Sequence, residues 1–254
     1  MKLLRATIIV QIVVLIVSEG AAAFQTKQSR ALEKSQVTQH AVFDANRISV
    51  IMMNDGQFVS HVITGNSGME WPKGSFKLID FASGIWVVGK ARSDGSIRTA
   101  AAEYQSEFQP GNILPDGTPD DPTLYKHRWY KITPHDLLNP GLDYLQWPTT
   151  DGAPIDANGN PLVFGDQTFW CVFNDADTAL HNRVFGSAAI GIEVQMTVWG
   201  YNRANILGDI MFVRAVIIHR GTETLDSTFF ALWDDADLGD AGDDYKGCDT
   251  AIRL

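Results

Sequence analysis

The chain has 254 residues, with 20 Lys and Arg against 30 Asp and Glu and a formal charge of −10 at neutral pH. That balance excludes a nucleic-acid surface, which needs clustered Lys and Arg; the single basic knot, Lys126, His127, Arg128 and Lys131, reads as decoration of a strand and its turn. The 22 Gly, 10 Pro and 7 Trp point to many turns between short strands, and about 230 residues beyond the N-terminal segment suffice for one large or two small domains.

In chain order, Lys2 and Arg5 form a positive n-region, Ala6 to Val17 is almost wholly apolar, and Ala21-Ala22-Ala23 supplies small residues at a cleavage position. This pattern predicts a signal peptide over residues 1–23 and an exported protein, because the apolar run is shorter than the roughly 20 residues of a spanning helix. No later segment is apolar enough to span a bilayer. Removal of Lys2, Arg5 and Glu19 leaves 18 basic and 29 acidic residues. Residues 24–45 are polar and Gln-rich and read as a flexible leader. From residue 46 onward the pattern is β. Arg47–Met53 and Gln57–Thr64 flank Asn54-Asp55-Gly56, a turn suited to positive φ, and so predict a hairpin. Phe76–Ala82, Gly84–Ala91 and Ile97–Phe108 continue as strands, with Ser93-Asp94-Gly95 as the second turn.

Gln109–Pro122 holds four prolines and three aspartates and predicts a long irregular loop. Arg128–Thr133 resumes a strand, Pro134–Leu138 one helical turn, and Asn139–Pro161 a second Gly/Pro/Asp-rich loop. Ile190, Ile192, Val194, Met196 and Val198 alternate with smaller or polar residues at the period of a strand with one buried face. Asp209–Gly221 is nearly continuous in apolar residues and predicts a central strand; Asp226–Asp234 follows. The alternation of Asp249 to Leu254 reads as a strand just begun, so residues 46–254 are expected to be a β region truncated at its C-terminal end. The predicted fold class is all-β, a two-sheet sandwich or jelly roll with long Gly/Pro/Asp-rich loops.

Chemistry concentrates in Trp233–Asp249, where six aspartates between Asp234 and Asp244 stand without a cation among them. Such carboxylates repel one another, and alternating hard oxygen ligands are what Ca²⁺ accepts. The order of Asp235, Asp237, Gly239 and Asp240 departs from an EF-hand loop and lacks its twelfth-position Glu. The expected Ca²⁺ ligands are therefore Asp235, Asp237, Asp240, Asp243 and Asp244 in a sandwich loop, with Asp175 and Asp177 of a second Asn-Asp-Ala-Asp run; the alternative is a solvated acidic loop, and His181, just after that run, reads as a loop residue. Cys171 and Cys248 are either a disulfide, as an even pair in an exported chain allows, or Cys171 is a buried small hydrophobe. Neither has the spacing of a zinc site. Glu103 and Glu107 are the only pair weighed as glycosidase carboxylates, and no nucleophile elbow, Walker loop or dinucleotide fingerprint occurs. Trp71-Pro72 and Trp147-Pro148 lie beside loops and could offer platforms for a surface glycan.

The phrases EWPKGS (Glu70–Ser75), SGIWVVGK (Ser83–Lys90), AAEYQSEFQPG (Ala101–Gly111), GAPIDANGNPL (Gly152–Leu162), GDQTFWCVFNDAD (Gly165–Asp177), GIEVQMTVWGYNR (Gly191–Arg203) and LWDDADLGDAGDDYKGCDT (Leu232–Thr250) together resemble the N-terminal region of large exported bacterial proteins that often end in a type IX secretion sorting domain. The resemblance implies a secreted or outer-surface β-rich protein and no particular activity. The expected function is a non-enzymatic, Ca²⁺-stabilised module of a surface or adhesive protein. The rivals are a carbohydrate-binding module, a polysaccharide-degrading enzyme, and a subunit that assembles with another copy of itself through an open sheet edge.

Overall fold

The computed structural model describes residues 39–61, 64–238, 242–244, 247 and 251; the signal segment, most of the leader, Asp240 and Cys248 lie outside the described residues. The strands, in chain order, are β1 His40–Phe43, β2 Ser49–Met53, β3 Gln57–Phe58, β4 Ser60–His61, β5 Asn66–Ser67, β6 Met69–Glu70 and β7 Leu78–Asp80. There follow β8 Ala82–Ala91, β9 Ile97–Ala101, β10 Gln109–Pro110, β11 Tyr130–Ile132 and β12 Gln167–Asn174. The last three are β13 Ile192–Gly200, β14 Met211–His219 and β15 Leu225–Asp235.

Two antiparallel sheets make a sandwich. The first runs β15–β8–β3–β2–β6–β7, with β9 also on β8 and β1 also on β2. The second runs β10–β12–β13–β14, with β11 also on β12. The two expected turns are present. Met52 pairs with Phe58 across Asn54-Asp55-Gly56, and β8 pairs with β9 from Lys90↔Ile97 to Trp86↔Ala101 across Ser93-Asp94-Gly95. In both turns the glycine takes a positive φ, +83° at Gly56 and +72° at Gly95, a region closed to most side chains by their Cβ. β1 falls inside the stretch read as leader: its four residues pair with β2, and Phe43 is fully buried against the Phe169 ring. Four residues with two inward apolar side chains, Ala41 and Phe43, are too short to announce themselves by periodicity.

The core lies between the sheets and gathers Val50, Met52, Ile85 and Val87 from the first with Phe169, Cys171, Phe173, Val194, Met196 and Val198 from the second. β12 explains why its sequence is apolar without alternation. Phe169, Cys171 and Phe173 face this core, while Trp170 and Val172 face outward into a smaller cluster with Tyr130, Ile132, Trp147 and Ala153. A strand covered on both faces needs no polar face. The cover on the outer side is the loop after β11, which carries three short helical turns, Pro134–Leu137, Leu142–Leu145 and Thr149–Asp151, with Trp147 between the last two. The Gly/Pro-rich middle segment is thus part of the packing. Trp147→Ala is expected to cost about 3–5 kcal/mol, the range for truncating a buried aromatic, measured by urea unfolding.

β14 departs from expectation. Its apolar run predicted a central strand, yet among the described residues it bonds only to β13 and forms an edge of its sheet. Met211, Val213 and Ile217 pack on the core, whereas Phe212 on the other face stacks on Trp199 with ring centroids 5.4 Å apart. Both faces of β14 therefore hold apolar groups for local packing, and a continuous apolar run reports two covered faces without reporting two bonded neighbours.

Candidate metal centre at the end of β15

β15 lies antiparallel on β8, with Trp233 opposite Gly84, Asp234 opposite Ser83 and Asp235 opposite Ala82. Asp80 ends β7 two residues before β8 begins, so the β7–β8 turn brings it to the same end of the sheet as the Asp234-Asp235 pair. Closing the pairing, the Phe81 N–H donates to the Asp235 carbonyl at 2.8 Å. The segment after β9 crosses close over β8: a Cβ on Gly84 would stand 1.9 Å from the Ala102 carbonyl oxygen. That approach carries Tyr104 to the site, where its ring meets Trp233 edge-on at 4.9 Å and Phe81 at 6.0 Å.

Asp80 and Asp234 are 5% and 4% exposed. The Ser83 Oγ lies 2.7 Å from Asp80 Oδ2 and 2.9 Å from Asp234 Oδ1. A hydroxyl has one proton to donate, so it serves one of these two acceptors at a time. The second contact is favourable only when a proton or a cation also occupies the site. Asp80 Oδ1 is buried with no hydrogen-bond partner among the described residues, a costly state for a carboxylate oxygen. Burial first, then the charge of Asp234 and a hydrogen bond with it, hold the Asp80 carboxyl well above the ordinary 3.8, with Asp235 adding to the same effect.

Beside this pair, the Tyr104 hydroxyl donates to Asp235 Oδ2. Burial raises the Tyr104 phenol far above its ordinary value, helped by the bond to Asp235 and by the charges of Asp235, Glu103 and Asp237. Asp237 therefore lies within the electrostatic reach of the cluster. Asp244 Oδ2 accepts from the Leu238 N–H at 2.9 Å, folding the acidic loop back on itself, and Asp243 is exposed. Asp240 is outside the described residues. Among the described residues there is no group of three or more His, Cys, Asp or Glu side chains that could hold a metal ion.

The other expected ligands do different work. Asp175 is fully buried and accepts from the Ile190 N–H at 2.7 Å and from the Ile192 N–H. His181, also buried, places Nε2 2.8 Å from the Asp175 carbonyl oxygen, and Asp177 caps a short turn by accepting from the Ala179 N–H at 3.0 Å. These three fasten the loop between β12 and β13. Glu107 is fully buried and accepts from the Ala101 and Phe185 N–H groups at 3.1 and 2.9 Å, so it is turned inward and cannot face Glu103 across an open cleft. Cys171 is buried in the main core, its thiol pKa pushed up by burial and then by the charge of Asp55, and Cys248 lies outside the described residues. Trp147 is 6% exposed, with its indole N–H donating to the Pro154 carbonyl at 2.9 Å, and has no free face for a sugar ring. Trp71 is half-buried and donates to Asp209 Oδ1 at 3.0 Å.

Asp80, Ser83 and Asp234 are the residues that sequence reasoning passed over. The available signal was an aspartate at the end of an otherwise apolar Leu-Ile-Asp-Phe-Ala segment, where a charge needs a partner. The protein class defined by fold and site is an antiparallel two-sheet β-sandwich with a buried carboxyl pair at one end. No family model, no curated protein and no solved structure matches this chain. Among the described residues no helix is long and apolar enough to cross a membrane.

Proposed function

We propose that the chain is an exported, non-enzymatic β-sandwich module of a cell-surface or extracellular protein, stabilised by Ca²⁺ at the end of β15. The observation that carries this reading is the Asp80–Ser83–Asp234 arrangement: two buried carboxyls share one hydroxyl donor, one carboxyl oxygen has no hydrogen-bond partner among the described residues, and Asp235 stands alongside. These are hard oxygen donors of the kind Ca²⁺ takes six to eight of. Asp80, Asp234 and Asp235 would hold the ion from the sandwich side, and Asp237, Asp240, Asp243 and Asp244 would complete its shell from the loop. The ion would supply counter-charge and would tie the last strand to the β7–β8 turn. The inward-turned Glu107 supports the non-enzymatic part of the reading, and the signal-like N-terminus supports export.

The test is thermal unfolding in EDTA, in millimolar Ca²⁺ and in Mg²⁺. Extracellular modules bind Ca²⁺ at about 10⁻⁴–10⁻³ M, so 10 mM ion is expected to add about 1.4–2.7 kcal/mol. In a domain of this size that raises Tm by about 3–10 °C. Equal melting curves in all three conditions would remove the metal and leave an exported β-domain.

A further inference from the structure

The Pro/Asp-rich stretch between β10 and β11 is fastened at its far end by a histidine. His127 closes the short turn Tyr125–His127 and is 1% exposed. Its Nε2 lies 3.2 Å from Asp120 Oδ2, and its carbonyl accepts from Asn54 Nδ2 at 2.8 Å. The ring packs on Gly111, where a Cβ would stand 3.0 Å from Nε2. Asp120 also meets Lys126 Nζ at 2.6 Å, and its N–H donates to the Asn112 carbonyl at 2.9 Å. The imidazole thus ties both limbs of the stretch to the β2–β3 turn.

The two ring nitrogens differ in a way that matters. A carboxylate only accepts, so Nε2 carries the proton. Nδ1 is buried with no hydrogen-bond partner among the described residues. A second proton can go only to Nδ1, where it would make a charged N–H with neither water nor acceptor. The surrounding charges offset little of this. Asp120 is already engaged by Lys126, and Asp121 by the Thr123 N–H and hydroxyl at 2.9 and 2.7 Å. Asp151, in the turn Thr149–Asp151, acts from a distance, and neither Asn54 nor β12 beside the ring brings a charge. Burial first, then the charge of Lys126, hold the imidazole below its ordinary 6.5 against the opposite pull of Asp120 and Asp151. We propose that His127 is an acid-sensitive latch: neutral, it holds residues 111–128 shut, and on protonation the turn Tyr125–His127 leaves its buried seat and the stretch opens. The latch is separate from the Ca²⁺ reading and does not depend on it. The stability it contributes is complete above the unfolded value of 6.5 and is lost as pH falls through the depressed folded value. Within that window each pH unit raises the open population by up to about tenfold.

The experiment is hydrogen exchange read by mass spectrometry on the full chain across pH 8 to 4.5, corrected for intrinsic exchange rates, for the parent, His127→Gln, Lys126→Gln and Asp120→Asn. In the parent, residues 111–128 are expected to be at least about threefold less protected at pH 5 than at pH 7, while β12 and β13 keep their protection. His127→Gln retains an N–H for Asp120 and takes up no proton, so its protection is expected to be flat over that range. Lys126→Gln, at a half-exposed site, removes a like charge and moves the opening to higher pH; Asp120→Asn removes the attracting carboxylate and moves it lower. These opposite shifts decide the matter even if His127→Gln does not fold. A parent equally protected at pH 5 and pH 7 overturns the proposal, as does an opening whose midpoint is the same in every folded variant.

Discussion

Asp175→Ala is expected to lose about 3–5 kcal/mol, the cost of stranding buried partners when a buried charge is removed. The Ile190 and Ile192 N–H groups would keep their burial and lose their acceptor, and no water reaches a side chain with no exposed surface. Against a total stability of about 5–15 kcal/mol, that is among the largest single effects available in this molecule. Asp175→Asn keeps one acceptor oxygen and turns an amide donor toward the other N–H, so it is expected to fall between parent and alanine. Both losses are expected to be the same in EDTA and in Ca²⁺, since Asp175 serves the β12–β13 connection. Urea unfolding in the two conditions decides the matter. An Asp175→Ala protein that is as stable as the parent in EDTA but no longer responds to Ca²⁺ would make Asp175 a ligand after all. The same carboxylate acts on His181: burial alone lowers that imidazole, but its bonds to Asp175 outweigh burial and leave it raised above 6.5. The stability His181 contributes is therefore complete below pH 6.5 and is lost as pH rises through its raised folded-state value.

Asp80→Asn is expected to change sign with the ion. Without Ca²⁺ at neutral pH, the variant is expected to be more stable than the parent, because a neutral amide donates to Asp234, a charge-assisted bond worth about 1.5–3 kcal/mol. The pH dependence follows from the raised Asp80 value, set by burial, by Asp234 and by Asp235. A group that binds its proton more tightly when folded contributes stability that is complete below its unfolded value of 3.8 and is lost as pH rises through the folded value. The parent in EDTA is thus expected to lose stability as pH climbs from 4 toward neutrality through this pair, and Asp80→Asn removes that part of the slope. With millimolar Ca²⁺ the order inverts, since the ion provides the counter-charge that the proton provided and the amide offers it a weaker ligand. Denaturant curves at several pH values, with and without the ion, measure both effects. Parallel curves for parent and variant in every condition would mean that Asp80 and Asp234 form an inert pair.

β13 was legible because one of its faces looks into the core and the other is more polar, so period two survives in Ile192, Val194, Met196 and Val198. The two turns with a positive-φ glycine were legible because that backbone region is a property of four residues alone. β14 was misplaced and β1 was overlooked for a shared reason, namely that bonding neighbours do not write themselves into a strand's own composition. The acidic stretch was visible as a stretch, and Asp235 does reach the cluster, but Asp175 and Asp177 resembled it in spelling only. Their carboxylates face main-chain N–H groups, an arrangement set by the path of the loop.

What the amino-acid order determined by itself is local: the β character of the chain after residue 46, the turns, the acidic C-terminal stretch, and an acidic charge balance. These depend on side-chain sterics and on charges a few residues apart. The tertiary structure alone decided which carboxylates meet, since Asp80 and Asp234 come together only when β15 pairs with β8 across more than half of the chain. It also decided that Ile217 of β14 and Phe230 of β15 line one groove with the loop that joins the two strands. Pairing between distant strands is a collective choice of the whole hydrophobic core, and a site built from that pairing is absent from any one segment.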